Sequence, residues 1–135
     1  MVKLLFPEPE TAAVMQLVAT EDHVVVSTLA RLETITQLHA RVVGSVLTRR
    51  AARSLMMRLD TLLQQAPYEV VRAPTEALDI AEAQIRPFPR EAHCPTLDRL
   101  HLAVMGALGL ERLLTNDKTQ ARAARGLGFS VMLPR

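Results

Sequence analysis

Three acidic residues stand at positions where a reactive site is readily built. Asp117 lies in Thr115-Asn116-Asp117-Lys118, directly after the apolar run Leu110-Glu111-Arg112-Leu113-Leu114. That order predicts a carboxylate where a buried strand ends and a helix begins. Glu33 follows Val24-Val25-Val26-Ser27, and Asp98 sits in Thr96-Leu97-Asp98-Arg99-Leu100-His101-Leu102-Ala103. In open α/β sheets, ligands bind beyond the carboxyl ends of the strands. Three acids converging there suit a hard, oxygen-preferring cation, Mg²⁺ or Mn²⁺. Such a constellation points to phosphodiester chemistry.

Each acid also has an ordinary structural role. Asp117 is placed to cap a helix, and Gln120 three residues on completes a capping-box pattern. Asp98 suits the positive end of the helix dipole near Thr96. The leucines around it, Leu97, Leu100 and Leu102, predict a packed helix start, where a carboxylate needs a compensating partner. Glu33 fits a solvated face beside Arg31 or Gln37. His101, one turn after Asp98, reads either as half of an acid–His metal pair or as a buried histidine bonded to backbone. His23, His39 and His93 have no ligand spacing to one another, which argues against zinc. Arg49, Arg50, Arg53 and Arg58 share one helix, with Arg49 and Arg53 at i, i+4. They are read equally as an RNA-contacting face, a solvated face, or a surface for a partner's acids. Met56 and Met57 read as core or interface packing.

Composition narrows the class. The chain has 135 residues, 49% of them apolar, which fits one domain with a real core and excludes a disordered chain. Aromatic content of 3% argues against base-stacking platforms. Only Lys3 and Lys118 among the 16 basic residues are not arginine, and arginine suits bidentate phosphate contacts. GC-rich coding explains that preference as well. The single cysteine, Cys94, forms no internal disulfide, fits a reducing cytoplasm, and is read as an inert thiol. The longest nearly apolar stretch, Leu100 to Leu110, falls well short of the roughly 20 residues that a membrane span needs. Met1 to Phe6 is too short for a signal-peptide core and runs into Pro7-Glu8-Pro9-Glu10. No Gly-rich phosphate loop occurs.

The elements that must position the acids follow from periodicity. Pro7 and Pro9 break the opening apolar segment, and a helix runs from Glu10-Thr11 to about Ala19. Strands are predicted at His23–Ser27, Tyr68–Arg72, Arg112–Thr115 and Phe129–Leu133. Helices are predicted from about Leu29 to Val43, stopped by Gly44, and then from a Thr48 cap to Pro67. The latter carries Ala52, Leu55, Met56, Leu59, Leu62 and Leu63 on one face. Thr75 is expected to cap a helix to Ile85. Pro87, Phe88, Pro89 and Pro95 mark a loop. Further helices are expected from Thr96 to near Gly109, and from Asp117 or Asn116 to Arg125. Strands alternating with helices predict parallel pairing with right-handed crossovers.

The ordered set of segments resembles the PIN-domain ribonucleases, particularly VapC-type toxins of bacterial toxin–antitoxin pairs. The matching pieces are Val2-Lys3-Leu4-Leu5-Phe6-Pro7-Glu8-Pro9-Glu10, Ser27 through Glu33, and Leu97 through Ala103. Leu114-Thr115-Asn116-Asp117-Lys118 and Ala123-Ala124-Arg125-Gly126-Leu127-Gly128-Phe129 complete the set. The resemblance implies a single PIN-like α/β domain over residues 1–135, with a parallel sheet between helices. It implies a metal-dependent endoribonuclease using Mg²⁺ or Mn²⁺. By position, Glu33, Asp98 and Asp117 match three of the family's four metal-binding acids, and Thr115 matches a hydroxyl residue near the last. RNA substrate, an antitoxin partner, a homodimer and a cytoplasmic location are further implications. The family's usual first strand, central in its sheet and ending in Asp, has no counterpart here. The domain is therefore expected to be N-terminally incomplete, with weakened activity. The alternative is a non-catalytic PIN-like binding module or remnant that binds an antitoxin or RNA. A phospho-acceptor or other doubly wound signalling domain is disfavoured, because no strand-terminal acid pair stands near the start.

Overall fold

The β-branched run Val24-Val25-Val26 favours extended backbone over helix, and it forms the first strand. In the computed structural model, the described residues are 1, 4–6 and 9–134. Val2, Lys3, Pro7, Glu8 and Arg135 lie outside them, and so does the part of the N-terminal resemblance and the Pro7 break that fall there. The chain divides into two compact units, Met1–Arg72 and Ala73–Arg135.

Unit 1 contains α1 (Thr11–Ala19), β1 (Val24–Ser27), α2 (Thr28–Val43), α3 (Arg49–Leu63) and β2 (Tyr68–Val71). β1 and β2 are parallel, with Val24 opposite Tyr68 and Ser27 opposite Val71. Ser27 ends the strand and caps α2, its Oγ accepting from the Ala30 N–H at 3.1 Å. Thr48 caps α3 in the same way, accepting from Ala51 N–H at 3.1 Å. Gly44 does end α2, but with φ −76°. The left-handed residue is Ser45, at φ 59°. Leu5, Val26, Leu38, Leu59 and Leu63 form the core of the unit, so α3 buries the Leu59/Leu63 face its periodicity marks. The Arg41 guanidinium lies 4.1 Å from the Phe6 ring centroid.

Unit 2 contains α4 (Ala77–Ile85), α5 (Thr96–Ala107), β3 (Arg112–Leu114), α6 (Lys118–Gly126) and β4 (Ser130–Met132). β3 and β4 are also parallel, with Arg112 opposite Ser130 and Leu114 opposite Met132. The chain is thus α/β with parallel strand pairs, as the alternation predicts. Leu102, Met105, Ala123 and Ala124 form the core. Small alanines on α6 let that helix pack closely on α5.

One cap differs from expectation. Thr75 does not cap α4: Glu76 is the N-cap residue, without a side-chain cap bond. The Thr75 hydroxyl donates to the Glu76 carboxylate at 3.1 Å.

Gly126 ends α6 where a side chain would be crowded. A Cβ there would stand 3.1 Å from the Glu91 carbonyl carbon and 3.2 Å from the Ala92 nitrogen. Both are backbone atoms, which cannot swing aside. Alanine normally stabilises a helix position relative to glycine. Gly126→Ala is nevertheless expected to lower stability by about 1–2 kcal/mol, because overpacking against fixed backbone outweighs propensity. Equilibrium urea unfolding measures this, and an increase in stability would show that the Glu91–Ala92 segment yields freely.

Candidate metal centre

Two of the three acids belong to unit 2, and each is fixed at the start of a helix. β3 delivers the chain to Thr115, whose N–H continues the ladder to Met132 O at 3.2 Å. The Thr115 Oγ1 then accepts from Asp117 N–H at 3.1 Å, which folds the chain sharply into α6. Asp117 is the N-cap. Its Oδ1 accepts from Thr119 N–H at 2.7 Å and from Gln120 N–H at 2.9 Å. Oδ2 takes no part in the cap, and the residue is exposed.

Asp98 lies in the first turn of α5 and is half-buried. The capping-box reading of Gln120 fails in an informative way. In a capping box the Gln120 amide would return to Asp117 N–H, but Thr115 already serves that donor. The amide Nε2 instead donates to Asp98 Oδ1 at 3.3 Å. Gln120 is only 9% exposed. One residue therefore holds both carboxylates, Asp117 through its backbone N–H and Asp98 through its side chain. The sequence showed Gln120 only as a local partner, since nothing in its spacing signals a contact across 22 residues.

Beside Asp98, Arg99 is 4% exposed. Its Nη1 donates to Gln84 Oε1 at 3.1 Å, and its Nη2 donates to the Ala92 carbonyl. Nε has no partner among the described residues. Arg99 thus ties α5 to α4 and to the loop before α5, which fixes where Asp98 begins its helix. The packing beside Asp98 differs from expectation at Leu97, which is 39% exposed, whereas Leu102 is fully buried. His101 is half-buried on the same helix.

Cys94 reports on both acids. Burial pushes its thiol above the usual range, the Arg99 guanidinium pulls it down, and Asp98 and Asp117 each push it up. The thiol lies within the field of both carboxylates and is held protonated at neutral pH. A protonated thiol is a poor nucleophile and a poor metal ligand.

The third acid, Glu33, lies in unit 1 on α2 and is half-buried. Arg31, one of its expected neighbours, bonds Asp60 of α3 at 2.6 Å. His23 pairs with Glu69 beside the β1–β2 ladder. Within the described residues of either unit, no three His, Cys, Asp or Glu side chains gather closely enough to hold a metal ion. The oxygen-only pair of Asp98 and Asp117 suits Mg²⁺ or Mn²⁺, ions that retain several waters and need one or two carboxylates. It does not match the nitrogen and sulfur donors that zinc prefers.

Comparisons with known proteins agree on one family. The PIN domain profile matches residues 1–126. Ribonuclease VapC46 of Mycobacterium tuberculosis (strain ATCC 25618 / H37Rv) is 33% identical over 135 residues, covering 98% of this chain and 91% of that protein. No solved structure matches significantly. Among the described residues, no helix is long and apolar enough to cross a membrane.

Proposed function

The chain belongs to the PIN-domain family of VapC-type ribonucleases, and from that premise we propose that it is a metal-dependent endoribonuclease, the toxin of a toxin–antitoxin pair. The observation that carries the reading is the joining of Asp98 and Asp117 through Gln120. Two carboxylates at the starts of two packed helices, held by one buried amide residue, form an acidic pair within unit 2. Glu33 is the third acid that the family relation assigns. Thr115 shapes the turn that presents Asp117, and its hydroxyl is assigned to position a ligand or water.

Mg²⁺ or Mn²⁺ held by these acids would neutralise charge on the scissile phosphate and lower the pKa of the attacking water. The chain's own part is to hold the carboxylates in place. Asp117 spends Oδ1 on the cap and keeps Oδ2 for the ion. Asp98 is steadied at Oδ1 by Gln120 and from behind by the Arg99 strut. The remaining family implications are an RNA substrate, a small antitoxin partner, a homodimer and a cytoplasmic location. They belong to the same proposal.

The test has two readouts. Purified chain is incubated with a structured RNA in Mn²⁺, Mg²⁺ or EDTA, and internal cleavage is expected only with metal. In parallel, Cys94 is alkylated with iodoacetamide at neutral pH. Slow alkylation is expected without metal, because the thiolate is the reactive form. It should quicken on adding Mn²⁺, as a cation offsets the two carboxylates that add to burial in raising the thiol. Metal-independent cleavage, or an alkylation rate indifferent to Mn²⁺, removes the metal from this site. RNA or antitoxin binding without any cleavage establishes the binding-module alternative instead.

A further inference from the structure

The charge of α3 is unbalanced along its whole outer face. Arg49, Arg50, Arg53 and Arg58 are all exposed. None of them makes an ion pair or side-chain hydrogen bond among the described residues. Asp60 is the helix's one acid, and it is engaged by Arg31. At helical spacing the face carries two rows, Arg49–Arg53–Met57 and Arg50–Ser54–Arg58, whose members lie one turn apart. Like charges at i, i+4 repel. Arg49 and Arg50 also occupy a first turn that holds no acid, where the helix dipole disfavours cations. The arrangement destabilises the free helix electrostatically and is relieved by a polyanion.

We propose that this face of α3 is a docking surface for the phosphate backbone of RNA, with Arg49, Arg50, Arg53 and Arg58 contacting phosphates. The inference rests on the ribonuclease reading, and it names a surface on unit 1 that the acidic residues do not provide. Guanidinium groups pair bidentately with phosphate oxygens. The hydroxyl of Ser54, exposed on the same face, adds a donor. A protein partner is the weaker fit. Interfaces need an apolar centre, and Met57 is the one large apolar side chain exposed on this helix, with Val43 and Val46 in the preceding turn. Few aromatics in the chain leave phosphate contact, rather than base stacking, as the source of affinity.

The experiment is fluorescence anisotropy of a labelled single-stranded RNA in EDTA, which separates binding from cleavage. Wild type, Arg49→Gln/Arg53→Gln and Arg58→Gln are titrated across a range of salt. Arg90→Gln, at an exposed arginine of unit 2, is the control. Each lost phosphate contact should flatten the slope of log K against log salt by about 0.7, hence roughly 1.4 for the double variant. Circular dichroism should show unchanged helicity, and Arg90→Gln should behave as wild type. Equal slopes for wild type and the double variant overturn the inference, as does an equal loss in Arg90→Gln. Tighter binding of an acidic helical peptide of matched charge than of RNA also overturns it, in favour of a protein partner. Cleavage assays separate the two readings. If wild type cleaves RNA and the double variant does so with unchanged KM and kcat, the surface is wrong and the nuclease reading stands. If RNA binds through these arginines but no metal-dependent cleavage occurs, the surface stands and the nuclease reading falls.

Discussion

Asp98→Asn is expected to reduce metal-dependent RNA cleavage by at least about 100-fold, since groups supporting a metal ligand already contribute roughly 10–100-fold. The substitution is close to isosteric. The Asn carbonyl can still accept the Gln120 amide bond that Asp98 Oδ1 accepts at 3.3 Å. Loss of activity with an unchanged melting temperature therefore isolates the negative charge. Gln120→Leu is the companion variant: both acids remain, but the side-chain link to Asp98 is cut. It should weaken Mn²⁺ dependence without abolishing turnover. Wild-type cleavage by Asp98→Asn would remove Asp98 from the chemistry.

Arg99→Met is expected to destabilise the protein by about 2–4 kcal/mol, because the Gln84 amide oxygen and the buried Ala92 carbonyl each lose a charged donor. The melting temperature should fall by roughly 10 °C on the usual scaling for a domain of this size. Arg99→Lys should recover only part of this, since one ammonium replaces a planar fork that reaches two acceptors. The opposing effect is the buried guanidinium itself, whose Nε has no partner. Removing a buried charge that is incompletely paired sometimes stabilises a protein. A rise in melting temperature for Arg99→Met would show that this desolvation penalty outweighs the two bonds.

The alternation of elements was legible because each depends on a local signal. Val24-Val25-Val26 marked a strand, Leu59 and Leu63 marked a buried helix face, and Thr48 and Asp117 marked caps. All of these recur in the structure. Strand ends were overrun at Arg72, Thr115 and Leu133, because a ladder ends where its partner ends, and residue type does not record that. Thr75 misled because α4 begins one residue later than its spacing marks, with Glu76 at the N-cap position. At the site, Asp98 and Asp117 were visible as acids at helix starts. Gln120 as their link and Arg99 as a buried strut were not. Arginine is usually exposed, and a hydrogen bond between α5 and α6 depends on how the helices pack.

The two parallel ladders differ in how much chain each must close. Forty residues separate Ser27 from Tyr68, whereas fifteen separate Leu114 from Ser130. Closure entropy grows with the logarithm of loop length, so the longer loop costs about 0.9 kcal/mol more. The segment that leaves the ribosome first thus carries the slower pairing, and the segment made last carries the quicker one. Synthesis order and closure cost oppose each other. The early head start given to β1 is spent waiting for β2, while β3 can meet β4 soon after both are made.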